Sequence, residues 1–273
     1  MAAKSAAKLF SQKPTVSILS VAQLVEVSIA LQDRVHFRGQ SNREWSLQPK
    51  IGRLSSIHHA GAPVPVHDLP LQEKLLLHRF RRYAYPHQGR ILNEWETLFL
   101  ARHHDLPVRL LDWSSNPLVA LFFACEYARK DDNQDGAIYW FRRPPREMYV
   151  DVFDEKIAPF DYYGIQIVFP YYPTMRMTAQ SGVFTLHSPA YWTDLRELTE
   201  AATKDKPRDG LLFDLSESGQ WVIPKERKTA LLKELERLGI NSRVLFPELD
   251  GLVKGLMQTE RFRTGEEYLV HTK

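Results

Sequence analysis

Two hydrophobic patterns follow one another along this chain of 273 residues. In the first half, apolar side chains recur three and four positions apart, as in amphipathic helices. In the second half, short runs of β-branched and aromatic residues alternate with turns, which is typical of strands. The predicted fold is therefore α+β, with a helix-rich N-terminal half and a strand-rich C-terminal half.

The predicted helices begin and end at recognisable signals. They cover residues 20–31, 71–84, 93–102, 116–128 and 225–238. Ser20 can cap the first helix, and Asn116 followed by Pro117 marks the start of the fourth, because Asn caps a helix and Pro suits its first turn. Gly239 ends the last helix, whose apolar side chains are expected to point inward. Those side chains are Leu231, Leu232, Leu235 and Leu238.

The predicted strands are short. Val35 and Phe37 alternate with polar residues in a strand that Gly39 ends, which places Arg38 at the end of the strand. Further strands are predicted over residues 137–141, 165–169, 182–187, 220–223 and 243–246, with an extended stretch over 108–113. Residues 55–70, with three Pro, are expected to be irregular. Since no linker divides the chain, residues 1–19 are predicted to be a flexible arm and residues 20–273 a single domain.

Composition and charge limit the class of protein without assigning a function. The chain is 44% hydrophobic and 25% charged, which excludes a disordered protein, and its net charge of +3 does not by itself call for a nucleic-acid or membrane partner. Neither a signal peptide nor an 18-residue apolar stretch is evident. A single cysteine allows no intrachain disulfide, which suits a reducing cytoplasm, so a cytoplasmic protein is expected. The single cysteine, Cys125, lies in an apolar run and is predicted to be a buried small hydrophobe, not a reactive thiol.

Polar residues that could carry chemistry occur in four groups, of which the first two lie at Arg38 and at His103–His104. Arg38 before Gly39 can present its guanidinium to a phosphate or carboxylate, and the alternative is a structural ion pair with Glu44 or another carboxylate. His103 and His104 are adjacent on a helix end and point in different directions, so a metal site is not expected there. The alternative for one of them is an interaction with the helix dipole.

The third group spans residues 109–116, and the fourth spans residues 176–184. Asp112 could orient Arg109 or Arg38, or accept hydrogen bonds from the following turn. Ser114 and Ser115 offer hydroxyls at a helix N-terminus, where backbone amides favour anions. In the fourth group, Gln180 precedes a strand, and the alternative is an amide that satisfies backbone groups of a turn.

Basic residues also cluster on the helix predicted over residues 71–84. Arg79, Arg81 and Arg82 lie on one side of it. A solvated helix face is the favoured interpretation, and anion binding is the alternative.

Four motifs resemble the FRG-domain family, which is named for a Phe-Arg-Gly motif. They are FRG at 37–39, RLLDWSSNPLVALFFA at 109–124, AQSGVF at 179–184 and RVLFPELDGL at 243–252. The resemblance spans residues 33–257. Val108 departs from it, because the family usually has a hydroxyl residue at that position.

A more distant similarity to ADP-ribosyltransferases of the Arg–Ser–Glu type implies NAD as the substrate and a split sheet. In order, Arg38 and Gly39 match the strand-end Arg-Gly, and Ser114 and Ser115 match the Ser-rich helix start. The resemblance implies catalytic roles for Arg38, Ser114, Gln180 and Glu248. It implies NAD binding by Arg38, Gly39, Gln40, Asp112, Ser114 and Ser115.

The leading hypothesis is thus an ADP-ribosyltransferase-like enzyme, such as a toxin or phage-defence effector, that modifies an unknown protein or nucleic-acid acceptor. One alternative is a non-catalytic module that binds a nucleotide or nucleic acid, for which residues 79–83 and 142–146 supply basic groups. Another is a metal-dependent hydrolase or nuclease that uses His103, His104 and Asp112.

Overall fold

Strands form the centre of the molecule in the computed structural model. It describes residues 16–54, 57–59, 62–64, 68–126, 133–142, 149–150, 152–153, 157–170, 174–189, 192–197, 217–249, 251–253 and 256. The strands are β1 (Val16–Ser17), β2 (Val35–Gln40), β3 (Ile57–His59), β4 (Ala62–Val64), β5 (Leu110–Ser114), β6 (Gly136–Arg142), β7 (Tyr149–Val150), β8 (Ile165–Val168), β9 (Gly182–His187) and β10 (Ser218–Ile223).

Seven α-helices surround these strands in the described part of the chain. They are α1 (Val21–Ala30), α2 (Leu69–Gln88), α3 (Glu94–His103), α4 (Pro117–Cys125), α5 (Met175–Ala179), α6 (Lys228–Arg237) and α7 (Ser242–Leu245). Single 3-10 turns occur at Lys50–Arg53, Leu195–Glu197 and Lys225–Arg227. Among the described residues, no helix has both the length and the apolar character that crossing a membrane requires.

Eight of the strands form one mixed sheet in the order β1-β10-β6-β2-β5-β9-β8-β7, and β3 and β4 form a separate hairpin. The outermost pairs, β1 with β10 and β7 with β8, are parallel, and the inner pairs are antiparallel. The α+β prediction is confirmed. The two halves are not segregated, however, because β2 and β5 from the helix-rich half lie in the middle of the sheet.

Two apolar clusters attach the helices to the sheet. The first joins α1, α4 and α6 to β2, β6 and β10, and the second joins α2 and α3 to β5, β8 and β9. Each cluster buries the apolar stripe of its helices against strand side chains, which supplies most of the favourable free energy of folding. The helices thereby hold the ends of β2 and β5 in fixed positions.

The capping signals in the sequence are confirmed. The Ser20 side chain accepts a hydrogen bond from the Gln23 amide at 3.1 Å, and the Asn116 side chain accepts one from the Leu118 amide at 2.9 Å. Each cap satisfies an amide that lacks a partner inside its helix.

Several predicted elements are corrected. Residues 243–246 are not a strand: residues 243–245 belong to α7 and Phe246 follows its end, because Asn241 caps a helix there by accepting from the Val244 amide at 3.1 Å. Leu238, predicted to point inward, is 59% exposed because α6 ends at Arg237. β2 continues past Gly39 to Gln40, and β3 and β4 form a hairpin inside the segment expected to be irregular.

Other boundaries also differ from the prediction. α2 is longer at both ends than predicted and contains Pro86. Val16 and Ser17 pair with β10 although they lie in the predicted flexible arm, whose first 15 residues are outside the described part of the chain. The basic residues 143–146 are likewise outside it.

A buried ion pair fastens β5 to α2. The Arg109 backbone amide donates to Glu73 Oε1 at 2.8 Å, and Arg109 Nε and Nη2 donate to Glu73 Oε2 at 2.9 and 2.6 Å. The side chains are 2% and 0% exposed. Burial raises the pKa of the Glu73 carboxyl, and the Arg109 charge and hydrogen bonds oppose that rise. The proposed pairing of Asp112 with Arg109 is therefore wrong, since Glu73 takes that place.

Cys125 is fully buried, as predicted, and burial raises the pKa of its thiol to about 12. At pH 8 only about one thiol in ten thousand would then be ionised, and the thiolate is the reactive form. We expect a chromogenic disulfide reagent to react with the native protein at least about a thousandfold more slowly than with protein in guanidinium chloride. Equal rates in the two solvents would contradict this burial.

Candidate functional site

Asp112 on β5 is surrounded by arginine side chains. Arg102, in the last turn of α3, donates to Asp112 Oδ2 through Nη2 at 2.5 Å and Nε at 3.1 Å. Arg38 Nη1 lies 3.5 Å from the same oxygen. Two cations from different elements therefore meet at one carboxylate, which fixes the end of α3 against the middle of the sheet.

Arg38 lies where β2 and β5 diverge. These strands share one residue pair, Phe37 with Ser114. Beyond it, Arg38 Nη1 donates to the Asp112 backbone oxygen at 2.7 Å. A side chain thus replaces the backbone partner that a continuous ladder would supply, and the guanidinium is held between two strands. Arg38 is thus oriented by Asp112, as predicted, and this contact is also the structural ion pair that the alternative interpretation expected. The carboxylate is Asp112 and not Glu44, which lies near Arg43.

The charges at Asp112 act on one another. Burial by itself would raise the pKa of Asp112, but the positive charges of Arg102 and Arg38 outweigh it and lower that pKa. Burial lowers the pKa of Arg38 to about 10; Asp112 opposes this effect, whereas Arg53 and Arg102 add to it. Asp112 therefore remains a carboxylate at neutral pH, and several cations share its single negative charge.

A small cleft of about 110 Å³ opens beside this cluster, between the end of α3, β5 and α5. Its polar lining comes from Arg102, His103, Asp105, Asp112, Arg176 and Gln180. Asp105 accepts from Lys50 Nζ at 2.5 Å, so the cleft's carboxylates are both paired with cations. Positive charge is in excess around the cleft, which favours an anionic ligand.

Arg176 is a cation of the cleft lining that stacks on an aromatic ring. Its guanidinium carbon lies 4.5 Å from the centre of the Phe246 ring. In the described part of the chain it makes no ion pair with a carboxylate, in contrast to Arg102, whose nitrogens contact both Asp105 and Asp112. A guanidinium stacked on an aromatic ring keeps its N–H groups free to bind an anion.

His103 connects the cleft to Glu248. Its Nδ1 lies 3.3 Å from Thr174 Oγ1, and its Nε2 lies 3.5 Å from Glu248 Oε1. Burial lowers the pKa of His103, the charges of Arg176 and His104 lower it further, and Glu248 opposes them. The imidazole is therefore mainly neutral at pH 7, and it can accept or donate a proton.

Ser114 and Ser115 do not form the hydroxyl-lined pocket that the resemblance implies. Ser114 is 5% exposed; its Oγ donates to the Gln180 backbone oxygen at 2.8 Å and accepts from the Asn116 amide at 3.0 Å. The Ser115 amide donates to the Ser181 oxygen at 3.2 Å, and its side chain is exposed. Ser114 thus positions the segment that carries Gln180.

Gly39 and Gln40 lie away from the cleft lining. A Cβ at Gly39 would come within 1.8 Å of the Ala120 oxygen, so this glycine permits close packing of α4 rather than approach of a ligand on that side. Gln40 is 3% exposed, and its Nε2 donates to the Ser46 oxygen at 3.2 Å.

The structure therefore brings together a part of the predicted site. Asp112 and Gln180 line the cleft, Arg38 lies behind Asp112, and Glu248 lies at its rim through His103. The Gln180 amide nitrogen donates to the Leu245 oxygen at 3.0 Å, which ties α7 to the cleft.

Sequence reasoning missed Arg102 and Arg176 as site residues. Arg102 carried a signal, because it follows Trp95 and Leu98 on the apolar stripe of α3, where a charge is unusual. Arg176 opens the fourth group of polar residues, but its position beside Phe246 depends on contacts far apart in sequence, which no local pattern indicates. Among the described residues, no three His, Cys, Asp or Glu side chains converge as metal ligands.

A family model for the FRG domain matches residues 33–133, just over a third of the chain, and this part of the chain is similar to that domain. The matched residues include Arg38, Arg102 and Asp112. The motifs at 179–184 and 243–252 lie outside the match, although Gln180 and Glu248 from them border the same cleft. No curated protein and no solved structure matches the chain.

Proposed function

We propose that this FRG-domain protein is an ADP-ribosyltransferase-like enzyme that uses NAD, and that the cleft between α3, β5 and α5 is its site. The observation that carries the proposal is Arg176, a cation without a carboxylate partner among the described residues, which shares one cleft with Gln180. Guanidinium groups bind phosphate oxygens through paired N–H groups. An anionic nucleotide therefore suits this cleft better than a neutral ligand does.

The size of the cleft limits which part of NAD it can hold. At about 110 Å³ it is smaller than the pockets of about 300 Å³ or more that enclose whole ligands. One phosphate or one ring fits inside, and the rest of the dinucleotide would lie across the rim, towards Glu248. The residues present fit a phosphate near Arg176 and a ribose near Gln180 or Glu248.

The proposed reaction breaks the bond between ribose C1′ and nicotinamide. Nicotinamide leaves with the bonding electrons, and the acceptor forms a new bond at C1′ as it loses a proton. A carboxylate stabilises the developing positive charge on the ribose better than an amide does. Glu248 is therefore the better candidate for this role than Gln180, whose amide is bound to Leu245.

Nicotinamide release from NAD tests the proposal. We expect release by the wild-type protein and a loss of at least about tenfold in Arg176→Ala, because removing one electrostatic contact commonly costs more than that. Glu248→Gln should lose more activity than Gln180→Ala. Arg237→Ala, an exposed arginine on α6, is the matched control and should keep the wild-type rate.

Two results would overturn this proposal. One is no nicotinamide release by wild-type protein when water, protein and nucleic-acid acceptors are all supplied. The other is an unchanged rate in Arg176→Ala. A role as a toxin or phage-defence effector would suit an NAD-consuming enzyme and stays a prediction, as does a cytoplasmic location.

A second candidate is a module that binds a nucleotide without chemistry. It is favoured by the internal hydrogen bonds of Ser114, whose hydroxyl both donates and accepts within the protein and so is not free to contact a substrate. Calorimetry would decide: binding of ADP-ribose that Arg176→Ala weakens, without nicotinamide release, supports the binding module over the enzyme.

A further inference from the structure

The solvent-facing side of α2 is basic and carries exposed aromatic rings. Lys74, Arg79 and Arg82 are exposed, Tyr83 is 78% exposed and Tyr85 is 52% exposed. Large aromatic side chains at this exposure give up burial that tyrosine usually gains in a folded protein. Their position beside arginines on one helix needs a reason other than packing.

No carboxylate on α2 balances these cations. The only acidic residue within Leu69–Gln88 is Glu73, which is buried and bound to Arg109. In the described part of the chain, neither Arg79 nor Arg82 has an ion-pair partner. A helix face selected only for solubility usually mixes the two signs of charge, with Glu and Lys four residues apart. The face is therefore complementary to a polyanion.

The helix presents this face in a fixed orientation. Leu69, Glu73, Leu77 and Ala84 lie on the opposite side and are buried. Arg79 and Tyr83 are four residues apart and Arg82 and Tyr85 three apart, spacings that place each cation beside one ring on the helix surface. Two cation–aromatic pairs thus border the exposed side of α2 over about two turns, Arg79 with Tyr83 along one edge and Arg82 with Tyr85 along the other.

We propose that a single-stranded nucleic acid docks along this face of α2. Arg79 and Arg82 contact its phosphates, and Tyr83 and Tyr85 stack on its bases. Cationic side chains interleaved with exposed rings are the arrangement by which proteins bind single strands without reading their sequence. An acidic peptide could pair with the arginines, but its carboxylates would not stack on the tyrosine rings.

The other, packed side of α2 is the one that points towards the cleft. Phe80 of α2 lies 6.4 Å from the His104 ring, and His104 contacts His103 of the cleft lining at 4.8 Å between ring centres. The inference goes beyond the proposed use of NAD and does not depend on it.

Fluorescence anisotropy with labelled 20-nucleotide single strands of DNA and RNA tests the proposal. Wild-type binding should weaken steeply with salt, and Arg79→Ala/Arg82→Ala should bind more weakly and reduce the slope of log K against log salt by about 1.4, at about 0.7 per lost phosphate contact. Tyr83→Ala/Tyr85→Ala should bind at least about fivefold more weakly with an unchanged slope, since stacking carries no charge.

The control is Lys233→Ala/Arg237→Ala, which removes two exposed cations from α6. It should bind as the wild type does. Equal loss in this control would mean that net charge alone attracts the strand, and that overturns the assignment to α2. Tighter binding to duplex DNA, unchanged binding in the tyrosine variant, or equal competition by polyglutamate would also overturn it.

The proposal of strand binding on α2 and the proposal of NAD use in the cleft can be contradicted independently of each other. All these substitutions lie on exposed faces, so circular dichroism should show the wild-type fold in every variant. Nicotinamide release to water by Arg79→Ala/Arg82→Ala should match wild type whether or not a strand binds. Loss of strand binding alone leaves the cleft proposal intact, and loss of nicotinamide release alone leaves the strand proposal intact.

Discussion

Glu73→Gln is expected to lower the free energy of unfolding by about 3–5 kcal/mol. The substitution keeps the shape of the side chain, and its amide oxygen can still accept from the Arg109 backbone amide. It removes the negative charge opposite a guanidinium that is 2% exposed. An uncompensated charge buried in the protein interior is costly because the medium around it solvates it poorly. Urea unfolding followed by circular dichroism measures the change.

The same substitution at a surface pair is the control. Glu236 Oε1 accepts from Arg243 Nη2 at 3.0 Å, and these side chains are 31% and 43% exposed. Glu236→Gln should therefore cost less than about 1 kcal/mol. Glu73→Leu/Arg109→Met removes both buried charges and should recover most of the lost stability. If Glu73→Gln lowers the free energy of unfolding no more than Glu236→Gln does, the buried ion pair is not a major contributor to stability.

Gly39→Ala is expected to destabilise the protein by at least about 3 kcal/mol, at the upper end for an overpacked core. The added Cβ would lie 1.8 Å from the Ala120 oxygen and 2.7 Å from the Ala124 nitrogen. Both are backbone atoms of α4, so no side chain can rotate away, and the helix must leave the sheet. Because Arg38 precedes this residue, the cluster at Asp112 should also be disturbed.

Gly182→Ala is the matched control for this substitution. Gly182 also lies in a strand of the sheet, but its added Cβ would meet only the Met177 oxygen, at 3.4 Å. That is an ordinary contact, and the loss should stay within about 1 kcal/mol. Unfolding midpoints and soluble yields of the two variants provide the measurement. A midpoint for Gly39→Ala equal to that of Gly182→Ala would rule out the close approach of α4.

Local signals predicted the elements well and the ends of the chain less well. Ser20 and Asn116 cap their helices as expected, because capping depends on residues within one turn. The strand over Gly182–His187 has the predicted bounds. The strand predicted at 243–246 is a helix, since a short apolar run is compatible with either structure and Asn241 decides between them.

The site shows the same division. Sequence pattern and the family resemblance identified Arg38, Asp112 and Gln180 as polar residues in apolar surroundings, and Asp112 and Gln180 do share a cleft. Neither pattern nor resemblance predicted that the Ser114 hydroxyl would donate to the Gln180 backbone oxygen. Neither predicted that Arg176, stacked on Phe246, would be the cation available to bind an anion.

The sequence by itself determined the α+β class, the helix starts at Ser20 and Asn116 and the burial of Cys125, because each depends on neighbouring residues or on hydrophobicity alone. Only the tertiary structure decided which carboxylate pairs with which arginine. Arg109 turns to Glu73, 36 residues away, whereas Arg38 and Arg102 meet at Asp112. Such pairings depend on which strand ends and helix faces the sheet brings into contact, and the spacing of residues along the chain does not predict them.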